Sequence, residues 1–225
     1  MTLESYLHTL TIPVTCSYID LCLLLSSIIS AHFYPLPMKY SPELIVEKDE
    51  NVYPPSDDSF LLIGSFDVRA GERILEIGCG SGIVSMHCAL NGGIVVCGDI
   101  NKKAVDLTKK NMALNSLDAD VVVTDLYSDI HGKFDTIIFN LPYLPVKEEG
   151  DLALAWSGGD DGLGPLPGLI SGAHDHLLPG GRLIVVVSSL MDKDALRSVL
   201  DGLAVKVLSE LPLFFERLSV LEISL

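Results

Sequence analysis

The chain has 225 residues, enough for one domain with a full hydrophobic core. At 48% hydrophobic and 20% charged, it has a globular composition and not that of a disordered polymer. Thirty acidic against 15 basic side chains leave a net charge of −15, which disfavours direct binding to DNA or structured RNA, because such binding gains affinity by neutralising phosphates with Lys and Arg.

Residues 1–37 form an apolar extension in which Ile12 to Tyr34 carries a Leu-Cys-Leu-Leu-Leu centre. Pro13, Asp20 and His32 interrupt it, and no basic flank fixes a membrane orientation. A charged start and a small-residue cleavage site, the marks of a signal peptide, are not clear either. Met38-Lys39-Tyr40 reads like an ordinary cytosolic N-terminus. The expectation is therefore an extension over 1–37 ahead of the natural start, a working domain over 38–225, and a cytoplasmic protein. A helix packed on the domain or on a partner, and a membrane anchor, are the alternatives for 1–37. The five cysteines include no C-x-x-C pair and no Cys/His cluster of zinc spacing, which points to reduced thiols and no metal.

From Met38 onward strands and helices alternate, the rhythm of an α/β domain with helices on both faces of a mainly parallel sheet. Val52-Tyr53-Pro54-Pro55-Ser56-Asp57-Asp58-Ser59 is a rigid Pro-Pro turn leading into a helix capped by Ser56 or Asp57. Tyr53 and Ser59 are placed to lie over a cofactor there. Arg73–Ile77 reads as a buried strand that runs into Gly78-Cys79-Gly80-Ser81-Gly82. Glycines at 78, 80 and 82 allow a tight bend and close approach of a ligand. The G-x-G-x-G spacing differs from the G-x-G-x-x-G of dinucleotide sites. Glu76, two residues before the first glycine, suits the ammonium of a methionyl group and would repel a pyrophosphate.

A helix is expected over Gly82–Asn91, then a strand over Ile94–Gly98 ending at Asp99, where an acid can hold both ribose hydroxyls. Lys102–Asn115 reads as a helix with Val105, Thr108 and Met112 inside. A third strand, Ala119–Thr124, ends at Asp125, placed to accept from an adenine amine. A fourth, Phe134–Phe139, delivers Asn140-Leu141-Pro142-Tyr143 to its carboxyl end, where open α/β sheets bind substrates. The Asn140 side-chain oxygen and the Leu141 carbonyl suit the two N–H groups of a planar nitrogen, and Tyr143 is placed to stack on it. A long loop rich in Gly, Pro and acids follows to Gly164, and its sole tryptophan, Trp156, is a candidate gate. A helix over Leu166–Leu178 stopped by Pro179-Gly180-Gly181, a strand over Arg182–Ser188 and a helix over Asp194–Leu203 come next. Val205–Ser209 and Phe215–Ile223 close the chain as an antiparallel hairpin.

Taken together, V-Y-P-P-S-D-D-S-F-L-L, L-E-I-G-C-G-S-G, the strand-end acids Asp99 and Asp125, N-L-P-Y and W-S-G-G-x-D-G resemble the release-factor glutamine methyltransferase family (HemK-like), in its compact archaeal and eukaryotic branch. The resemblance covers about Tyr40 to Leu225. It implies a seven-stranded class I methyltransferase fold, S-adenosylmethionine as donor, and methylation of the glutamine amide in the Gly-Gly-Gln tip of a peptide-chain release factor. By matching position, Tyr53, Ser59, Glu76, Gly78, Cys79, Gly80, Gly82, Asp99, Ile100, Asp125, Leu126 and Asn140 would contact the donor or lie beside it. Asn140, Leu141, Pro142 and Tyr143 would hold the substrate amide. The family usually carries proline where this chain has Leu141. The resemblance also implies a small zinc-ribbon activator paired with the third strand near Val121-Val122-Val123, an apolar edge suited to a partner strand. Protein-lysine or adenine amino methylation is the alternative chemistry, and a cofactor-binding scaffold the alternative without catalysis.

Overall fold

The structure, a computed structural model, describes residues 36–150 and 152–225. The expectation for 1–37 lies almost entirely outside the described residues. Five strands, β1 (Arg73–Ile77), β2 (Ile94–Asp99), β3 (Asp120–Val123), β4 (Phe134–Phe139) and β5 (Leu177–Ser188), pair in parallel. β7 (Arg217–Ser224) inserts antiparallel between β5 and β6 (Ala204–Pro212), giving the seven-stranded order β3-β2-β1-β4-β5-β7-β6. The order reverses between β1 and β4, and a ligand crevice forms at such a reversal.

Alternation along the central strands builds two cores. Ile74, Ile138, Ile184 and Val186 face one side, covered by α1 (Asp57–Ile63), α2 (Ile83–Leu90) and α3 (Lys102–Leu114). Leu75, Ile77, Ile137, Phe139, Leu183 and Val185 face the other, where α4 (Leu166–His176) and α5 (Lys193–Leu200) pack. By the same alternation Glu76 is turned toward the α2 side, where it is buried. α5 is fixed by Asp192, whose carboxylate accepts from the N–H groups of Asp194 and Ala195 at 3.0 and 2.8 Å.

The chain departs from expectation where α4 meets β5. The helix ends at His176, and β5 begins at the next residue. Pro179-Gly180-Gly181 lies inside β5, where the pairing with β4 slips between Phe134 and Thr136. Gly180 takes a left-handed φ of 77° at this bulge, so these residues bend a strand instead of stopping a helix. No helix among the described residues is long and apolar enough to cross a membrane.

Candidate active site

The carboxyl ends of β1, β2, β3 and β4 surround a cleft of about 390 Å3, within the range of small-molecule sites. Its floor is the glycine turn after β1. Gly78, Gly80 and Gly82 all hold left-handed φ values, of 69°, 54° and 80°. A Cβ at Gly78 would come within 2.5 Å of the Phe139 ring, so this position excludes any side chain. The turn rests on β2, with the Cys79 N–H donating to the Gly98 carbonyl at 3.1 Å.

Asp99 closes the junction. Its carboxylate accepts from the Gly80 N–H at 2.9 Å and the Asn101 N–H at 2.8 Å. Burial pushes its pKa up, opposed by these main-chain donors. Glu76 accepts from the Ser85 N–H at 2.8 Å and also from the Ser85 hydroxyl. Burial drives its pKa to about 8, with Ser85 pulling the other way. An ammonium arriving beside it would restore the charged form.

Asp125 is exposed on the cleft wall. Leu126, next to it, is a non-glycine residue with φ of 49°, a costly conformation that clusters at functional sites. Thr124 Oγ1 donates to the Leu126 carbonyl at 3.2 Å and accepts from the Asp129 N–H at 3.1 Å, which holds the kink in place. Tyr53, Ser59, Cys79 and Ile100 also line the cleft.

Asn140 follows β4 directly. Its side-chain oxygen Oδ1 is buried and has no hydrogen-bond partner among the described residues. A buried acceptor left unpaired costs about 1–3 kcal/mol, so this oxygen is poised for a donor that arrives with a ligand. Leu141 and Pro142 line the cleft with it, while the Leu141 side chain is sunk in the second core.

Two expected residues lie elsewhere. Tyr143 is not part of the cleft lining. Its ring wedges between the two cores, and its hydroxyl donates to Asp58 Oδ2 at 3.3 Å. Gly82 is also outside the lining. It is the N-cap of α2, where a Cβ would strike Thr108 at 2.9 Å. Trp156 packs 6.2 Å from the Tyr53 ring and donates from Nε1 to Glu148 at 2.9 Å. The cleft is instead met by its neighbours Leu152, Leu154, Ala155 and Ser157.

The residues that sequence reasoning missed are those clamping the glycine turn from α3. Thr108 Oγ1 donates to the Gly80 carbonyl at 3.0 Å, and Asn111 Nδ2 to the Ser81 carbonyl at 2.8 Å. Asn111 also accepts from the Glu47 N–H at 2.9 Å, and Asn115 from the Ile45 N–H at 2.8 Å. The signal was available: Thr108 and Asn111 are three apart on the buried stripe of α3, where an apolar residue would be the default.

Residues 55–207 match the methyltransferase small domain family. A putative protein N5-glutamine methyltransferase of Methanocaldococcus jannaschii is 36% identical over 177 residues, covering 76% of this chain and 90% of that one. Methyltransferase HEMK2 of Mus musculus is 33% identical over 152 residues, covering 60% and 71%. The Mtq2–Trm112 complex of E. cuniculi, responsible for methylation of the translation termination factor eRF1, superposes with a TM-score of 0.61 at 17% identity over 77% of this chain and 98% of that one. A methyltransferase from Pyrococcus furiosus gives 0.56 at 21% identity, covering 91% and 97%. The left-handed glycine turn, the buried carboxylate of Glu76 and the acids Asp99 and Asp125 at the ends of β2 and β3 fit a nucleoside with a cationic amino-acid tail. The chain belongs to the methyltransferase small domain family and is a HemK-like class I methyltransferase whose donor is S-adenosylmethionine.

Proposed function

We propose that the chain methylates the side-chain amide nitrogen of a protein glutamine, the one in the Gly-Gly-Gln tip of a peptide-chain release factor. The observation that carries this reading is the unpartnered Asn140 Oδ1 at the end of β4. A primary amide brings two N–H donors, and the Leu141 main-chain carbonyl is the second acceptor in the same turn.

An amide nitrogen is a poor nucleophile because its lone pair is delocalised into the carbonyl. Asn140 and Leu141 accept from both N–H groups, which returns electron density to nitrogen and fixes the plane of the amide. When bound, the donor would supply an electrophilic methyl carbon on cationic sulfur, which the amide nitrogen would take as the carbon–sulfur bond breaks and an amide proton is released. Gly78 and Gly80 would let the donor lie against the main chain, Glu76 would hold its ammonium, Asp99 its ribose and Asp125 its adenine amine. Alignment of two bound reactants contributes several kcal/mol to such a reaction. Leu152, Leu154 and Ala155 add apolar groups to the cleft lining.

The reading includes a small zinc-ribbon activator. Among the described residues β3 is an edge strand, and Val123 on it is 46% exposed, so the edge offers both unpaired backbone and apolar surface to a partner strand. The name of the E. cuniculi neighbour as a two-protein complex supports the same arrangement. The relative from M. jannaschii supports glutamine as the target. The cytoplasm, where release factors act, is the compartment this substrate implies.

The test is transfer of radiolabelled methyl to purified release factor, its Gln→Ala tip variant and an oligonucleotide. Label on the wild-type factor alone is expected. Label that persists on the tip variant, or appears on the oligonucleotide, overturns the glutamine assignment in favour of lysine or a base amine.

A further inference from the structure

The cleft opens at the carboxyl edge of the parallel strands, and the last hairpin of the chain ends at that same edge. β7 pairs Leu218 with Ser188, the final residue of β5, so the β6–β7 turn over residues 213–216 sits beside the end of β5. The turn is held firmly. The Leu213 N–H donates to the Glu216 carbonyl at 2.8 Å, the Ser188 hydroxyl to the Glu216 carboxylate at 2.6 Å, and the Arg217 N–H to Ser189 Oγ at 2.9 Å. The residues after β5 also carry the loop that follows the Asn140 turn. The Asp192 N–H donates to the Asp161 carbonyl at 2.8 Å, and a Cβ at Gly162 would strike the Tyr143 carbonyl at 2.6 Å and meet the Met191 backbone at 3.3 Å.

On this fixed turn Phe214 is 92% exposed and Phe215 84%. Their rings meet edge to face with centroids 4.6 Å apart. A lone exposed apolar side chain calls for no explanation. Two adjacent aromatic rings on a tied turn beside a reaction cleft are the composition of an interface anchor, where aromatics bury large area at low entropic cost.

We infer that this turn docks the protein substrate, with a segment flanking the target residue seating an apolar side chain against Phe214 and Phe215 and directing a basic side chain at the acids beside them. The inference rests on the protein-substrate reading above. The choice of occupant comes from continuity with the cleft and from charge. Asp57 is exposed at the start of α1, and Glu216 sits at the base of the turn. Asp58 lines the cleft with Tyr53, and burial first, then the negative charges of Asp58, Glu216 and Asp57, raise the Tyr53 phenol. The whole chain, at −15, attracts a basic polypeptide.

The test is steady-state methylation by the Phe214→Ser/Phe215→Ser double variant, purified with its activator. Both side chains are outside the cores, so folding and donor affinity by calorimetry are expected to stay unchanged. KM for the release factor is expected to rise about tenfold or more with kcat within about twofold, as for loss of an interface anchor. A peptide limited to Gly-Gly-Gln, too short to reach the turn, is expected to react equally with both enzymes. An unchanged KM on a factor that the wild type does methylate overturns the docking inference alone. A wild type that methylates no protein overturns the reading beneath it and this inference together. An unchanged KM accompanied by loss of self-association, or by loss of binding to lipid vesicles, assigns the aromatic pair to a second copy or to a membrane and overturns docking of substrate.

Discussion

Glu76 accepts two hydrogen bonds from one residue, Ser85, which gives it both its backbone N–H, at 2.8 Å, and its hydroxyl. These bonds favour the carboxylate, yet burial outweighs them and carries the pKa from 4.5 to about 8. Between those values the folded chain binds a proton that the unfolded chain has lost. Stability from this group is therefore full below about pH 4.5, declines as pH rises and is gone above about pH 8. On the proposed reading, donor binding would bring an ammonium beside Glu76 and expel the proton. Wild type minus Glu76→Gln isolates the effect. The stability difference is expected to grow against wild type from pH 5 to 8, and donor binding at neutral pH to release protons in buffers of different ionisation enthalpy. A pH-independent difference would contradict this account of Glu76.

Asn140→Ala removes the orphaned acceptor without touching the donor's ribose or adenine positions. The expected outcome is a fall of about 100- to 1,000-fold in kcat, the scale seen when one preorganised polar partner of a reacting group is deleted. On the proposed reading the buried oxygen accepts from the substrate amide, so donor affinity should change little. Single-turnover methylation and calorimetry on the same preparation check both. A loss confined to donor affinity would place Asn140 in the cofactor site alone.

Glycines 78 and 80 should part company. Gly78→Ala combines a left-handed φ with a Cβ 2.5 Å from the Phe139 ring. Gly80→Ala has the same backbone cost, about 1–2 kcal/mol, but open space around its Cβ. Thermal unfolding without donor should show the first variant several degrees less stable than the second. With donor present, Gly80→Ala should also lose ligand stabilisation, because Gly80 lines the cleft and its methyl projects into open space.

Tyr143→Phe tests the placement of that ring. Its hydroxyl serves Asp58 and its face serves the two cores. Burial first, then the charges of Asp58 and Glu216, raises its phenol far above the ordinary range, so it stays neutral. The variant is expected to lose about 1 kcal/mol of stability, one hydrogen bond, while kcat stays within about threefold. A larger drop in kcat would return Tyr143 to the substrate pocket.

What the sequence revealed and what it hid follow from range of interaction. The strand into glycine turn, the acids at 76, 99 and 125, and the Asn140 corner are local patterns. Strand alternation and turn chemistry fix where each points, and all of them reach the cleft. The clamp on the glycine turn was hidden because its meaning is tertiary. Thr108 and Asn111 hold carbonyls 28 and 30 residues away, and Asn111 grips Glu47 across 64. The setting of Tyr143 is tertiary too: its hydroxyl meets Asp58, 85 residues earlier. Pro179-Gly180-Gly181 looked like a helix stop because local rules allow either a cap or a bulge, and only the pairing with β4 selects the bulge.

The central claim is that the chain places its methyl group on a glutamine side-chain nitrogen held at Asn140. Tandem mass spectrometry of release factor, after incubation with S-adenosylmethionine, enzyme and activator, tests it most directly. The account predicts one methyl on the amide nitrogen of the Gly-Gly-Gln glutamine with wild type, and a strongly reduced signal at that residue with Asn140→Ala. A methyl on lysine or at any other residue, or full modification by the variant, contradicts it.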